Sequence, residues 1–169
     1  PLARKSCNVD IACLYCTHYI AGMVPRAIEA SLRRMVSAMP VVSVTGPRQS
    51  GKSTLVRAAL PGYHYVNLED PEQRSFALED PRGFLEQHDA PVIIDEAQHA
   101  PELFSYIQVR CDEDDRPGLF VLTGSQNFLL SERISQSLAG RVAIARLLPF
   151  SLDELRGTDY EKSSWEDYV

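Results

Sequence analysis

With 169 residues, 44% of them hydrophobic, the chain holds enough apolar material for one domain with a real core and hardly enough for two. Its formal net charge of −6 gives no support to bulk attraction for nucleic acid or an anionic membrane. No apolar stretch approaches the ~20 residues of a membrane-spanning helix. Residues 1–22 differ in character from the rest of the chain. Cys7, Cys13 and Cys16 precede His18, and Cys13-x2-Cys16 has the spacing of half a zinc site, yet no second pair lies at a usable distance. Arg4-Lys5 ahead of Ile11–Ile20 imitates a signal peptide, but Asp10, Thr17 and His18 interrupt the apolar run. This part reads as an extension of uncertain status. Cys111 stands far from the other cysteines, so no disulfide framework is indicated and a reducing cytosol fits best. The chain does not begin with Met and stops soon after a helix start at Ser151, so it is expected to be a piece of a longer protein.

Pro25 to Met39 carries Ile28, Leu32, Met35, Val36 and Met39 on one stripe, the spacing of a helix packed on a sheet. Arg26, Arg33 and Arg34 fall in the same stretch and read as its solvated face. The β-branched run Val41 to Thr45 then leads into Gly46-Pro47-Arg48-Gln49-Ser50-Gly51-Lys52-Ser53, a complete G-x-x-x-x-G-K-[ST] phosphate-binding loop. A triphosphate needs backbone N–H donors converging on it, so Gly46 and Gly51 let the loop curl without Cβ interference. Lys52 supplies a point charge to the β/γ-phosphates, Ser53 a hydroxyl for Mg²⁺, and Thr54 comes next among the nucleotide-binding positions. A helix from Lys52 to about Leu60 presents its positive N-terminal end to the anion, and Pro61-Gly62 ends it.

Tyr63 to Leu68 reads as a strand. Asp70-Pro71-Glu72-Gln73 supplies an N-cap, a proline at N1 and a capping-box Gln, and Asp80-Pro81 opens another short helix. Pro91 to Asp95 is wholly apolar until it ends in Asp95-Glu96, the pattern of a strand buried on both faces of a parallel sheet. Open α/β sheets bind ligands at that end. Asp95 is expected to hold Mg²⁺ beside Ser53, while Glu96 keeps the free lone pair that a general base needs to polarise water.

Pro101 opens a helix with Leu103, Phe104, Ile107 and Cys111 inward. The acidic turn from Asp112 to Gly118 lacks the glycine and terminal Glu of a calcium loop. Leu119 to Thr123 is a further buried strand, leading through Gly124-Ser125 to a helix with Phe128, Leu129, Ile134 and Leu138 as its apolar face and Gly140 at its end. Val142 to Leu148 supplies a fifth strand, and Ser151-x-x-Glu154 begins a helix with a capping box. Strands alternating with helices imply an α/β, three-layer sandwich on a five-stranded parallel sheet. Thr123 and Ser125 end the strand facing the γ-phosphate: either hydroxyl can sense phosphate or hold water, or Ser125 can simply cap the next helix. Gln98 either orients water or packs the loop. Arg141 either reaches a neighbouring site or satisfies the last carbonyls of the helix before it.

Taken in order, Val24-Pro25-Arg26, Gly46 to Ser53, Tyr65-Val66-Asn67-Leu68-Glu69-Asp70, Ile94-Asp95-Glu96-Ala97-Gln98, Leu122-Thr123-Gly124-Ser125-Gln126, Leu138-Ala139-Gly140-Arg141 and Leu148-Pro149-Phe150-Ser151 resemble the N-terminal half of the prokaryotic AAA-type ATPases of unknown function. The resemblance implies the strand order of the additional-strand P-loop class. It implies an ATPase domain over 23–150, with 151–169 starting a C-terminal region whose full domain, nuclease-like or helical in family members, lies beyond this chain. Residue by residue, it implies Lys52 and Ser53 for nucleotide and Mg²⁺, Asp95 and Glu96 for hydrolysis, and further roles for Thr123 and Arg141. In ring-forming ATPases the position of Arg141 carries a finger that speeds hydrolysis by about 10³ to 10⁵.

The leading expectation is Mg²⁺-dependent ATP hydrolysis that moves a missing C-terminal domain or a partner, with a homo-oligomer as the setting for Arg141. A nucleotide switch without hydrolysis is the alternative, and a P-loop phosphotransferase is disfavoured because no lid of clustered arginines is visible. No Asn-Lys-x-Asp guanine reader is present, which leans toward ATP.

Overall fold

The apolar runs expected as strands pair side by side in one parallel sheet. The computed structural model describes residues 23–125, 134 and 136–162. In chain order these form α1 (Glu29–Val36), β1 (Val41–Gly46), α2 (Lys52–Ala59), β2 (His64–Asn67), α3 (Pro71–Glu79), α4 (Pro81–Gln87), β3 (Val92–Asp95), a 3₁₀ turn (Ala97–His99), α5 (Leu103–Glu113), β4 (Phe120–Ser125), β5 (Val142–Arg146) and α6 (Leu152–Leu155). The sheet order is β2-β3-β4-β1-β5. Thus β4 is inserted between β1 and β3, the additional-strand arrangement of the P-loop class. The register pairs Gly46 with Ser125 and Asn67 with Asp95, so the C-terminal strand ends share one edge.

Period-2 alternation divides the strand residues between two apolar layers. Val42, Val44, Ile93 and Val121 face Leu32 and Val36 of α1 and Leu55, Val56 and Ala59 of α2. Val41, Val66, Val92, Ile94, Phe120 and Leu122 pack instead with Ala77, Phe84, Leu85, Phe104, Ile107 and Cys111 from α3, α4 and α5, and with Ile134 and Leu138. Burying side chains of this size stabilises by roughly 1.5–3 kcal/mol each, which is what holds three layers together. Ile134 and Leu138 are buried as expected, and Gly140 comes after them at φ +74°; Phe128 and Leu129 lie outside the described residues, as do Cys7, Cys13, Cys16 and His18. Among the described residues, no helix is long and apolar enough to cross a membrane.

Three local expectations change. The first helix starts at Glu29, so Arg26 precedes it and is buried, while only Arg33 and Arg34 stay on a solvated face. β5 stops at Arg146, two residues early, where Leu147 turns its amide to the Thr45 carbonyl. Asp70 does cap α3, accepting from the Glu72 amide, but Gln73 closes no capping box: its Oε1 lies 3.0 Å from His88 Nε2. The capping box at Ser151 and Glu154 forms in full.

His88 is buried, stacked on His64 and tilted against Phe84. With Gln73 Oε1 accepting from Nε2–H, His88 Nδ1 is left to accept from His64 Nε2, 2.8 Å away. A second proton on His88 would set two N–H groups against each other. Burial, then the neighbouring His64, accordingly lowers the His88 pKa below the usual histidine value of 6.5. Between its folded pKa and 6.5 the unfolded chain binds more protons than the folded one, so stability rises with pH through that window. Melting curves are expected to show Tm falling as pH drops from 7.5 toward 5.5, and His88→Gln to flatten that slope; parallel slopes in the two proteins would rule out His88 as its source.

Candidate functional site

The loop after β1 is shaped by two residues in the left-handed region, Gln49 at φ +61° and Gly51 at φ +85°. Positive φ costs a glycine nothing, which explains Gly51. At Gly46 the constraint is space: a Cβ there would lie 2.1 Å from the Leu147 carbonyl oxygen. Lys52 starts α2 and is only 5% exposed, with Nζ donating to the carbonyls of Gly46 (3.1 Å) and Pro47 (2.8 Å). Ser50 is buried, and its Oγ has no partner. Arg48, Gln49 and Thr54 are exposed, whereas Ser53 and Pro47 are half-buried.

Beside the loop, Asp95 ends β3 and is 2% exposed. It lies on the sheet face that carries Ile93 and Val121 against α2, as does Thr123 at the matching level of β4. One carboxylate oxygen accepts from Thr123 Oγ1, and the other accepts from Tyr65 Oη at 2.5 Å. Burial, and then the hydrogen bond to Asp95, raises the Tyr65 pKa far above that of a free phenol, so Tyr65 stays a donor. Thr123 Oγ1 also accepts from the Glu96 amide at 3.3 Å. Its hydroxyl thus binds both acidic residues.

Glu96 departs from the strand at φ +54°, a left-handed backbone that a non-glycine residue adopts only where its surroundings fix it. Gln98, on the 3₁₀ turn, donates its amide N–H₂ to Glu96 Oε2 and, at 3.2 Å, to Ser125 Oγ. With the nitrogen committed to a carboxylate, Gln98 Oε1 is left buried and unpartnered. Among the described residues, two buried polar atoms lack partners: Ser50 Oγ in the loop where phosphate is expected, and Gln98 Oε1 beside Glu96.

Among the described residues, no three His, Cys, Asp or Glu side chains come together as a metal-holding group. The donor set nonetheless fits Mg²⁺, which takes one or two protein oxygens and fills its shell with water and phosphate. Asp95 has lone pairs beyond the two already used.

Arg141 is not brought to this site. Its carbonyl accepts from the Val41 amide at the start of β1, the opposite sheet edge from Gly46 and about 17 Å away along the strand. There it donates to Asp112 (2.7 Å) and to the Ala139 carbonyl (3.1 Å), the end of the preceding helix. Sequence reasoning missed Tyr65 and the burial of Arg26. A hydroxyl two residues before Asn67, on the same face as Asp95, was the available signal for Tyr65; Arg26 offered none, because its partners lie as far as 128 residues away.

Comparison with known proteins places this geometry among relatives. A family model described as an AAA domain matches residues 38–156. Two uncharacterized proteins, of Mycobacterium bovis and Mycobacterium tuberculosis, are each 38% identical to the chain over 125 residues, which cover 72% of this chain and 28% of theirs. The chain therefore spans little more than a quarter of the length of these relatives. The Walker-type ATPase of Pyrococcus abyssi superposes with a TM-score of 0.54 at 20% identity, over 78% of this chain and 55% of its own. AMPPCP-bound DnaA from Aquifex aeolicus gives 0.51 at 14% identity, over 83% and 52%. Both likenesses are of fold.

Proposed function

Because the chain belongs to the AAA domain family, we propose that it binds ATP with Mg²⁺ at the Gly46–Ser53 loop and hydrolyses it at the C-terminal edge of the sheet. The observation that carries the reading is the convergence of Lys52, Asp95 and Glu96 on that edge. Loop amides and Lys52 would bind the phosphates, using the left-handed turns at Gln49 and Gly51 to point N–H groups inward. Ser53 and Asp95 would hold Mg²⁺, which when bound neutralises phosphate charge. Tyr65 and Thr123 fix Asp95 from both oxygens, so its orientation does not have to be organised during reaction. Glu96 is the general base, held by Gln98 and its own strained backbone. Thr123 joins the metal-binding and base residues through one hydroxyl. The energy released would drive a change in the part of the longer protein that this chain does not span, or in a partner.

For Arg141 we propose a role in a second copy's site, since its own lies across the sheet. Steady-state phosphate release over a protein-concentration series tests this. Specific activity should rise with concentration, and Arg141→Ala should abolish the rise while leaving nucleotide affinity intact. A concentration-independent rate would remove the second copy from the mechanism; tight ATP binding with no release would instead make the protein a nucleotide switch.

A further inference from the structure

Of the charged side chains buried among the described residues, Lys52 and Asp95 belong to the site, and Arg26 does not. The Arg26 side chain is 6% exposed, and each of its three guanidinium nitrogens donates a hydrogen bond. Nη1 donates to the Ser50 carbonyl in the phosphate loop at 2.8 Å. Nη2 donates to the Leu148 carbonyl at 2.6 Å, and Nε to Glu154 Oε1 at 3.1 Å. The Arg26 Cζ sits over the Phe150 ring, 4.2 Å from the ring centre. Glu154 is built in as firmly: Oε1 also accepts from the Ala27 amide, and Oε2 from the Ser151 amide. Burial alone would raise the Glu154 pKa, but the two amides and Arg26 outweigh it and hold the carboxyl below its ordinary value.

Burying a guanidinium carries a large desolvation cost that its hydrogen bonds and ion pair must offset, and here those contacts tie together segments far apart in the sequence. The arrangement fixed here joins the apex of the phosphate loop to residues 147–156, the stretch leaving β5. The same stretch touches the loop a second time, through the Leu147 carbonyl that closes the space over Gly46. A shift of the Ser50 peptide therefore cannot leave Leu148 and Glu154 undisturbed.

We propose that Arg26 is a positioning residue coupling the nucleotide state of the phosphate loop to the order of residues 147–156. The coupling rests on the nucleotide-binding reading above. A nucleotide that fixes the Ser50 peptide fixes Arg26, and Arg26 fixes Glu154 and the helix it caps. Binding linkage is reciprocal, so loosening Glu154 weakens nucleotide binding, although its described hydrogen bonds reach only Arg26, Ala27 and Ser151.

The test is hydrogen–deuterium exchange on the full chain with and without AMPPCP and Mg²⁺, read on peptides covering 147–156, together with the analogue's Kd. In the wild type, exchange there should slow about fivefold or more on binding. Arg26→Lys, whose ammonium cannot reach three acceptors in different directions, should lose that response. Glu154→Gln should raise Kd about fivefold or more. Analogue binding without added protection at 147–156, or Glu154→Gln with wild-type Kd and protection, would overturn the coupling. Should Arg26→Lys not fold, the wild-type response and Glu154→Gln decide alone. No analogue binding to the wild type would overturn the nucleotide reading, and this coupling with it.

Discussion

Replacing Glu96 with glutamine should leave ATP binding intact and cut phosphate release by about 10² to 10⁴, the usual contribution of a positioned general base. The substitution is close to isosteric. The Glu96 amide that meets Thr123 is untouched, and a glutamine carbonyl can still accept from Gln98. Phosphate binding falls to Lys52 and the loop amides, none of which changes. What disappears is the anionic lone pair that takes the water proton. Single-turnover phosphate release beside a nucleotide titration checks both halves. Hydrolysis at the wild-type rate in Glu96→Gln would remove Glu96 from the chemistry.

Lys52→Ala should instead raise the Kd for ATP about 100-fold and so abolish turnover at ordinary nucleotide concentrations. Hydrogen bonds to charged groups are worth about 1.5–3 kcal/mol, and each 1.4 kcal/mol is tenfold in affinity. Lys52 is buried with Nζ already gathered onto the Gly46 and Pro47 carbonyls, so it meets the phosphates with little left to organise. The fold should survive, because α2 is held by Leu55, Val56 and Ala59 rather than by its first residue. Lys52→Arg should not rescue binding, since a planar fork does not fit where a compact ammonium sits. Calorimetric titration with circular dichroism as the folding control decides; wild-type affinity in Lys52→Ala would move the phosphates elsewhere.

Much of the molecule was legible because it is local. Periodicity and proline placement describe events within a few residues, and they predicted the strand set and the cap at Asp70. What was not legible depends on who arrives from a distance. Arg26 sits among arginines of an amphipathic stretch, and nothing nearby says that Glu154 and Leu148 will close over it. Gln73 has the right spacing for its own helix start, yet His88, brought up from the end of α4, takes its side chain. The hydrogen bonds of Thr123 with Asp95 and the Glu96 amide depend on strand order, which no local pattern carries. Arg141 could be assigned a topological position from sequence, but its contacts with Asp112 and the Ala139 carbonyl could not be read there.

The sheet order also dictates when the protein can be assembled. Val41 pairs with Phe120 on one side and Val142 on the other, partners roughly 80 and 100 residues later, separations that make for slow, late pairing. On a ribosome the octapeptide emerges early, but both flanks of its strand, and the Leu147 carbonyl that closes over Gly46, arrive only after most of the domain has been synthesised. A nascent chain stopped before β5 carries the Gly46–Ser53 sequence without the neighbouring strand and the Leu147 carbonyl that shape it, so the loop takes its form only once β5 has been made.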